Sequence, residues 1–140
     1  AGVDAKETGR GVDHLGAVAL IEAAKRHDVA HYVMVSSMGA NADHDGDEVF
    51  DAYLRAKGQA DDALRSSGLG YSIVRPTSLT DDDPVGTVTL TPDADGGAIA
   101  RSDVAAVLQA LLLEGTPLGS TVQLTAGTTP VGQAVTSAHT

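Results

Sequence analysis

Between two segments with helical periodicity lies an apolar run, HYVMVSS (His31–Ser37). Its apolar residues are consecutive and do not alternate with polar ones, which is typical of a strand covered on both faces in a parallel sheet. A similar run follows at Gly70–Arg75, which Pro76 ends because proline cannot donate to a strand ladder, and Thr121–Thr125 gives a last strand. Together these runs predict the strands of one parallel sheet.

Helical spacing of apolar residues separates the predicted strands. The predicted helices cover residues 12–27, 49–68 and 102–115, with a loop over residues 1–11 before the first. Ser102 is the predicted cap of the third helix, and Leu112 is assigned to its buried face. The alternation of helix and strand predicts an α/β fold with a helix-covered parallel sheet. A hairpin of residues 85–91 and 98–100 and a frayed tail over Thr136–Thr140 complete the prediction.

Composition argues against several classes of protein. The 19 acidic residues outnumber the 9 basic ones, for a formal net charge of −10, so we expect no nucleic-acid partner and no anionic membrane partner. The absence of cysteine excludes disulfides and thiolate metal sites. No apolar run reaches the roughly 18 residues that a membrane span needs. We therefore expect a cytoplasmic protein.

Polar side chains follow two of the predicted strands, at the edge where open α/β sheets bind ligands. Ser36 and Ser37 follow the first strand, and Arg75-Pro76 ends the second. Between them, the intervening helix carries Tyr53 and Lys57. The four-residue spacing puts the phenol and the ammonium on one helix face, where the ammonium favours the phenolate form. A serine that holds a carbonyl completes a reductase site. Such a Tyr-x-x-x-Lys pair is, however, more often core packing beside a solvated lysine.

The order of these groups resembles that of the atypical, NmrA-like short-chain dehydrogenases. The similar segments are VDHLGA (12–17), LIEAA (20–24), VMVSSMG (33–39), YLRAK (53–57) and SGLGYSIVRP (67–76), continued at residues 79–81, 99–105 and 127–130. The resemblance implies a single Rossmann-like domain that binds NAD or NADP and acts on a small carbonyl or alcohol substrate.

The resemblance also implies roles for individual residues. Ser37, or else Ser36, is the active-site serine, Tyr53 the acid–base and Lys57 the group on the nicotinamide ribose. Arg75-Pro76-Thr77 is the segment along the nicotinamide ring. Because some members keep nucleotide binding alone, the alternative is a non-catalytic redox sensor or regulator.

The family's glycine-rich phosphate loop has no counterpart in this sequence. No predicted strand precedes Gly9, Gly11 and Gly16, and the resemblance places Ala1-Gly2 at the end of the family's fourth strand. The chain therefore resembles the carboxyl-terminal half to two-thirds of a longer protein. We expect the first strand to be an exposed edge that self-associates or pairs with the amino-terminal portion.

Three weaker signals are assigned to ordinary structure or left open. The segment 41–46 begins like a calcium loop, but Ala52 stands where a bidentate carboxylate is required. His27 and His31 are expected at the surface, and no metal site is predicted. Arg101 and Asp103 fit substrate contact and a helix start equally well.

We expect the free energy of unfolding to increase with salt. Aspartate outnumbers glutamate and lysine is scarce, as in proteins of salt-loving microbes. About 1 M salt shortens the Debye length to about 3 Å and so weakens the repulsion between carboxylates. The melting temperature should rise from dilute buffer to molar potassium chloride; a flat curve would mean ordinary acidity.

We also expect residues 1–140 alone to bind dinucleotide weakly. A pyrophosphate is held by a glycine-rich turn at a helix amino terminus, and the sequence contains no such turn after a predicted strand. Calorimetric titration with NAD and NADP measures this affinity. Low-micromolar binding by a monomer would show that the alignment of Ala1-Gly2 is wrong.

Overall fold

A computed structural model describes residues 10–140. Gly9, the pair Ala1-Gly2 and most of the loop predicted over residues 1–11 lie outside the described residues. The described chain forms two units, which we call the helical unit (residues up to 30, and 39–69) and the sheet unit (31–38 and 70–140).

The helical unit consists of three helical segments. A π-helical segment, Arg10–Gly16, continues into α1, Ala17–Arg26, and α2 covers Val49–Arg65. Within the described residues, helical structure is already present at Arg10, two residues before the predicted start at Val12. The buried apolar side chains of α1 and α2 are those of Ile21, Ala24, Leu54, Ala56, Ala60 and Leu64.

The loop over residues 39–48 lies directly against α2. The backbone N–H of Asn41 donates to the carbonyl of Leu54 at 3.1 Å. A Cβ on Gly58 would lie 2.1 Å from the backbone nitrogen of Ala42. Since no side chain fits in that space, glycine at position 58 is what allows the loop to approach the helix.

The sheet unit contains a five-stranded sheet in the order β1-β2-β6-β4-β7. The strands are β1 (Tyr32–Val35), β2 (Tyr71–Pro76), β4 (Thr87–Thr91), β6 (Ser120–Ala126) and β7 (Thr129–Pro130). β1, β2 and β6 are parallel, as predicted, and β4 is antiparallel to β6. The α/β fold class with a mainly parallel sheet is confirmed.

Two helices of the sheet unit cover this sheet. They are α3 (Arg101–Glu114) and α4 (Val131–Ala138). The core of the unit comprises Val74, Val88, Leu90, Ile99, Val104, Val107, Leu111, Val122, Leu124, Ala134 and Val135. Gly115 ends α3 with a φ of +82°, as predicted for a glycine stop. Among the described residues, no helix combines the length and apolarity that crossing a membrane requires.

The predicted hairpin of residues 98–100 is wrong. Strand β5 (Ala98–Ala100) pairs in parallel with β3 (Ser78–Thr80) and not with β4. The side-chain oxygen of Thr77 accepts from the N–H of Gly97 at 3.0 Å and donates to its carbonyl at 2.7 Å. These two hydrogen bonds bring residue 98 beside residue 78.

Strand β1 is an edge of the described sheet, as expected, but it is not covered on both faces: residues 32–34 are half-buried and Val35 is exposed. Predictions for α3 also need correction. Helix α3 begins at Arg101, so Ser102 is not its cap. The buried carboxylate of Asp103 instead accepts from the N–H groups of Val85 and Gly86, each at 3.0 Å. Leu112 is 58% exposed.

The predicted frayed tail, residues 136–140, is ordered: it contains the last turn of helix α4, which is followed by His139. Ring atom Nδ1 lies 2.8 Å from the carbonyl oxygen of Val135, and Nε2 lies 2.8 Å from that of Thr116 and 3.1 Å from the carboxylate of Glu114. Carbonyl oxygens only accept hydrogen bonds, so both contacts are hydrogen bonds only when both ring nitrogens carry protons, and the arrangement favours the imidazolium form. The bonds to Thr116 and Val135 raise the pKa of His139.

We expect His139 to stabilise the fold in acid and to lose this effect in base. Its folded-state pKa is raised, so its contribution is complete below the unfolded value of about 6.5 and disappears as the pH rises through the folded value. His139→Gln should lower the free energy of unfolding by about 1 kcal/mol at about pH 5.5 and by less at about pH 9. Urea titrations at both pH values measure this.

His31 provides a comparison of opposite sign for that experiment. Burial is the main cause that lowers its pKa, and the charge of His139 adds to this, so its contribution is complete above the unfolded pKa and is lost as the pH falls toward the folded value. His31→Gln should therefore show the opposite pH trend. An equal effect of His139→Gln at both pH values would contradict the imidazolium assignment.

Candidate functional site

The helical unit presents Tyr53 and Lys57 on successive turns of α2. The ammonium nitrogen of Lys57 lies 5.6 Å from the centroid of the Tyr53 ring, within range of a cation–π contact. The same nitrogen lies 3.4 Å from a carboxylate oxygen of Asp13, and the two side chains of this ion pair are 19% and 22% exposed. The ammonium is thus held by an aromatic ring and by a carboxylate.

The Tyr53 ring also has an aromatic neighbour, Phe50. The ring of Phe50 stacks on it with centroids 6.0 Å apart and an interplanar angle of 18°. Phe50 is 63% exposed, whereas Tyr53 is half-buried. An exposed aromatic ring next to a phenol and an ammonium is a suitable wall for a flat or apolar ligand.

Hydrogen bonds tie the 39–48 loop to the first turns of α2. His44 Nε2 donates to a carboxylate oxygen of Asp51 at 2.8 Å, and the Glu48 N–H donates to the other oxygen at 3.0 Å. The hydrogen bond from His44 is the main cause that lowers the pKa of Asp51. The Arg55 guanidinium donates to the carbonyls of His44 and Gly46. This network fixes the turn that carries Tyr53.

The segment that resembles a calcium loop is turned by its own side chains. The side-chain oxygen of Asn41 accepts from the N–H of Asp43 at 2.9 Å, and that of Asp45 accepts from Gly46 at 3.0 Å. Within the described residues, no three His, Cys, Asp or Glu side chains are grouped as a metal site would require.

In the sheet unit, the predicted serines follow β1 at the carboxyl edge of the sheet. The ladder continues past the strand, since the N–H of Ser36 donates to Val74 and that of Met38 donates to Pro76. Ser36 is 4% exposed, whereas Ser37 is half-buried and its hydroxyl donates to the Met38 carbonyl at 3.3 Å. Ser37 is the more accessible of the two hydroxyls.

Arg75-Pro76-Thr77 lies at the same edge, at the end of β2. Pro76 is buried, and the N–H of Thr77 donates to the carbonyl of Leu124 at 3.0 Å. The Thr77 hydroxyl is engaged with Gly97, so this residue lines the edge chiefly through its backbone. Arg101, the first residue of α3, forms an exposed ion pair with Asp81, and the Asp103 carboxylate accepts from the N–H groups of residues 85 and 86.

The structure brings the predicted residues together in two groups. Tyr53 and Lys57 form one group in the helical unit. Ser36, Ser37 and the segment 75–77 form the other in the sheet unit, and each group is described within its own unit. Sequence reasoning missed Asp13, whose sequence signal is an acidic residue inside a segment of helical periodicity.

Comparisons with known proteins identify a family. The profile of the NAD(P)H-binding family matches residues 2–114. The uncharacterized sugar epimerase YhfK of Bacillus subtilis is 37% identical over 124 residues, which are 89% of this chain and 58% of that protein.

Solved structures give the same result. A protein of Bacillus halodurans, named as a candidate NAD-dependent epimerase/dehydratase, is 34% identical with a TM-score of 0.86 over 94% of this chain and 63% of that one. The oxidoreductase ylbE of Lactococcus lactis is 26% identical with a TM-score of 0.80, over 90% and 59% of the two chains.

The chain thus spans about three-fifths of the length of these relatives. The family match covers most of the sequence, and the fold agrees with that of the solved relatives. The cofactor class is accordingly NAD(P). The chain belongs to the NAD(P)H-binding family, with the Rossmann-like fold and the oxidoreductase and epimerase relatives of the NmrA-like group.

Proposed function

We propose that the complete protein is an NAD(P)-dependent oxidoreductase, or a sugar-epimerase relative, that acts through Ser37, Tyr53 and Lys57 on a small carbonyl or alcohol substrate. The observation that carries the proposal is the placement of the Lys57 ammonium 5.6 Å from the Tyr53 ring on a half-buried helix face. The expected cytoplasmic location and salt preference stay predictions from composition.

The residues present fit the nicotinamide–ribose half of the cofactor. Lys57 offers an ammonium donor to a ribose hydroxyl, and the 75–77 segment, with Pro76 buried, offers a backbone-lined edge to a ring. Gly11 and Gly16 lie in the π-helical segment, so the described residues contain no phosphate-binding turn built from them. When bound, the nucleotide donates or accepts the hydride.

The chemistry assigned to the chain is proton transfer and carbonyl orientation. In the direction of reduction, the hydroxyl of Ser37 donates a hydrogen bond to the substrate carbonyl oxygen. As hydride adds to the carbonyl carbon, the proton on Tyr53 Oη moves to that oxygen and leaves a phenolate. The Lys57 ammonium stabilises the phenolate electrostatically.

A specific observation favours a second candidate, a non-catalytic NAD(P)-binding sensor or regulator. Phe50 stacks on the Tyr53 ring, and Asp13 pairs with Lys57, so the structure gives both side chains packing partners within the helical unit. In this alternative, Tyr53 packs the helix face and Lys57 contacts ribose without any proton transfer.

Replacement of the Tyr53 hydroxyl distinguishes the two candidates. Tyr53→Phe keeps the ring contacts and removes the proton donor, so we expect kcat to fall about 10²- to 10⁴-fold with nucleotide affinity nearly unchanged. Turnover is followed by nicotinamide absorbance in the complete protein, with the carbonyl compound that the wild type reduces fastest.

The controls use matched residues away from this helix face. Tyr71→Phe, at the start of β2, should leave turnover unchanged. Lys57→Ala should weaken both turnover and nucleotide binding, whereas Lys25→Ala, which removes an exposed partner of Glu22, should affect neither. Undiminished turnover in Tyr53→Phe would retire the acid–base assignment and leave the non-catalytic alternative.

A further inference from the structure

The ion pair between Asp13 and Lys57 is sheltered compared with other acid–base contacts of the helical unit. Its side chains are 22% and 19% exposed, against 53% and 41% for Glu22 and Lys25. Exposed pairs of the second kind contribute little, because water and salt screen them. The sheltered pair therefore has the stronger electrostatic effect on its surroundings.

Asp13 owes its position to an unusual turn. Arg10–Gly16 is π-helical, and π-helical turns are rare and frequently found at functional sites. A Cβ on Gly16 would lie 3.2 Å from the carbonyl oxygen of Gly11, five residues earlier, so a residue without a side chain relieves crowding in the wide turn. The local backbone thus departs from an α-helix in the turn that supplies the carboxylate.

We propose that Asp13 is a positioning residue for Lys57, whose ammonium it holds against the Tyr53 ring and whose positive charge it partly offsets. The proposal rests on the proposed function of the same site. Holding the ammonium fixes the donor that contacts ribose. Offsetting its charge weakens the stabilisation of the Tyr53 phenolate and so sets the pH range in which Tyr53 acts.

Other titratable groups lie on the elements of the helical unit. Among the described side chains, the π-helical segment carries that of His14, and α1 carries those of Glu22, Lys25 and Arg26. The 39–48 loop contributes Asp43, His44, Asp45, Asp47 and Glu48, and α2 itself contributes Asp51, Arg55, Asp61, Asp62 and Arg65. His44 is paired with Asp51, Lys25 with Glu22, and Arg65 with Asp62. His14 is next to Asp13 in the sequence, so the test must separate its effect from that of Asp13.

The test compares three substitutions of Asp13 in the complete protein. Asp13→Asn keeps an oxygen acceptor and removes the charge, so nucleotide affinity should stay within about twofold. For carbonyl reduction, in which Tyr53 is the proton donor, the alkaline limb of the kcat/KM profile should move down by about half a pH unit to one unit, because the ammonium is no longer offset. Asp13→Ala should also weaken nucleotide binding about tenfold, and Asp13→Glu should restore both properties.

Two controls separate positioning from general damage. Asp62→Ala breaks the exposed pair with Arg65 on the same helix, and His14→Gln removes the neighbouring titratable ring; neither should move the alkaline limb or the affinity. Melting temperatures of the Asp13 variants verify folding. An unmoved alkaline limb in Asp13→Asn, or wild-type affinity in a folded Asp13→Ala, would overturn the proposal.

Nucleotide affinity also separates this inference from the proposed function. If the wild type turns over no carbonyl substrate, the oxidoreductase assignment fails. The positioning role of Asp13 is then tested by nucleotide affinity alone. Weak binding by Asp13→Ala with near-normal binding by Asp13→Asn and Asp13→Glu supports positioning, and equal binding by all three overturns it.

Discussion

The parallel ladder between β1 and β2 determines which side chains reach the carboxyl edge of the sheet. Val35 pairs with Val74, and the N–H groups of Ser36 and Met38 extend the ladder to Val74 and Pro76. Side chains alternate along an extended chain, so a slip of one residue would exchange the buried hydroxyl of Ser36 for that of Ser37. The accessibility of Ser37 is therefore a consequence of register and not of its immediate neighbours.

The position of helix α2 is also constrained, in this case by the close approach of the 39–48 loop to Gly58. Its buried positions are occupied by Leu54 and Leu64 and by small residues such as Ala56 and Ala60, which allow close packing. Tyr53 and Lys57 lie at the half-buried positions between them. A helix packed this closely holds its remaining face in one position, and an acid–base pair requires such a fixed placement.

Apolar residues within short segments predicted β1, β2 and β6, although only β2 has consecutive buried residues: β6 alternates in burial, and β1 is half-buried to exposed. Strand β3 and helix α4 were missed for physical reasons. β3 has three residues, of which Ser78 and Leu79 are exposed, and α4 buries only Ala134 and Val135 among poor helix formers. Ser102 was taken for a cap, but the helix begins one residue earlier and the Asp103 carboxylate is bonded to distant backbone amides.

The candidate site was predictable to the extent that its chemistry is local in sequence. Tyr53 and Lys57 are one helical turn apart, and this spacing alone placed them together. The pair between Asp13 and Lys57 depends instead on packing between separate segments, so no local pattern contains it. The electrostatic effect of this ion pair is nevertheless largest at short range. At longer range, the net charge of −10 opposes an anionic nucleotide, and salt screens that repulsion. The proposed function therefore places nucleotide binding on a few short-range donors, and our proposal for Asp13 is that it holds one of them.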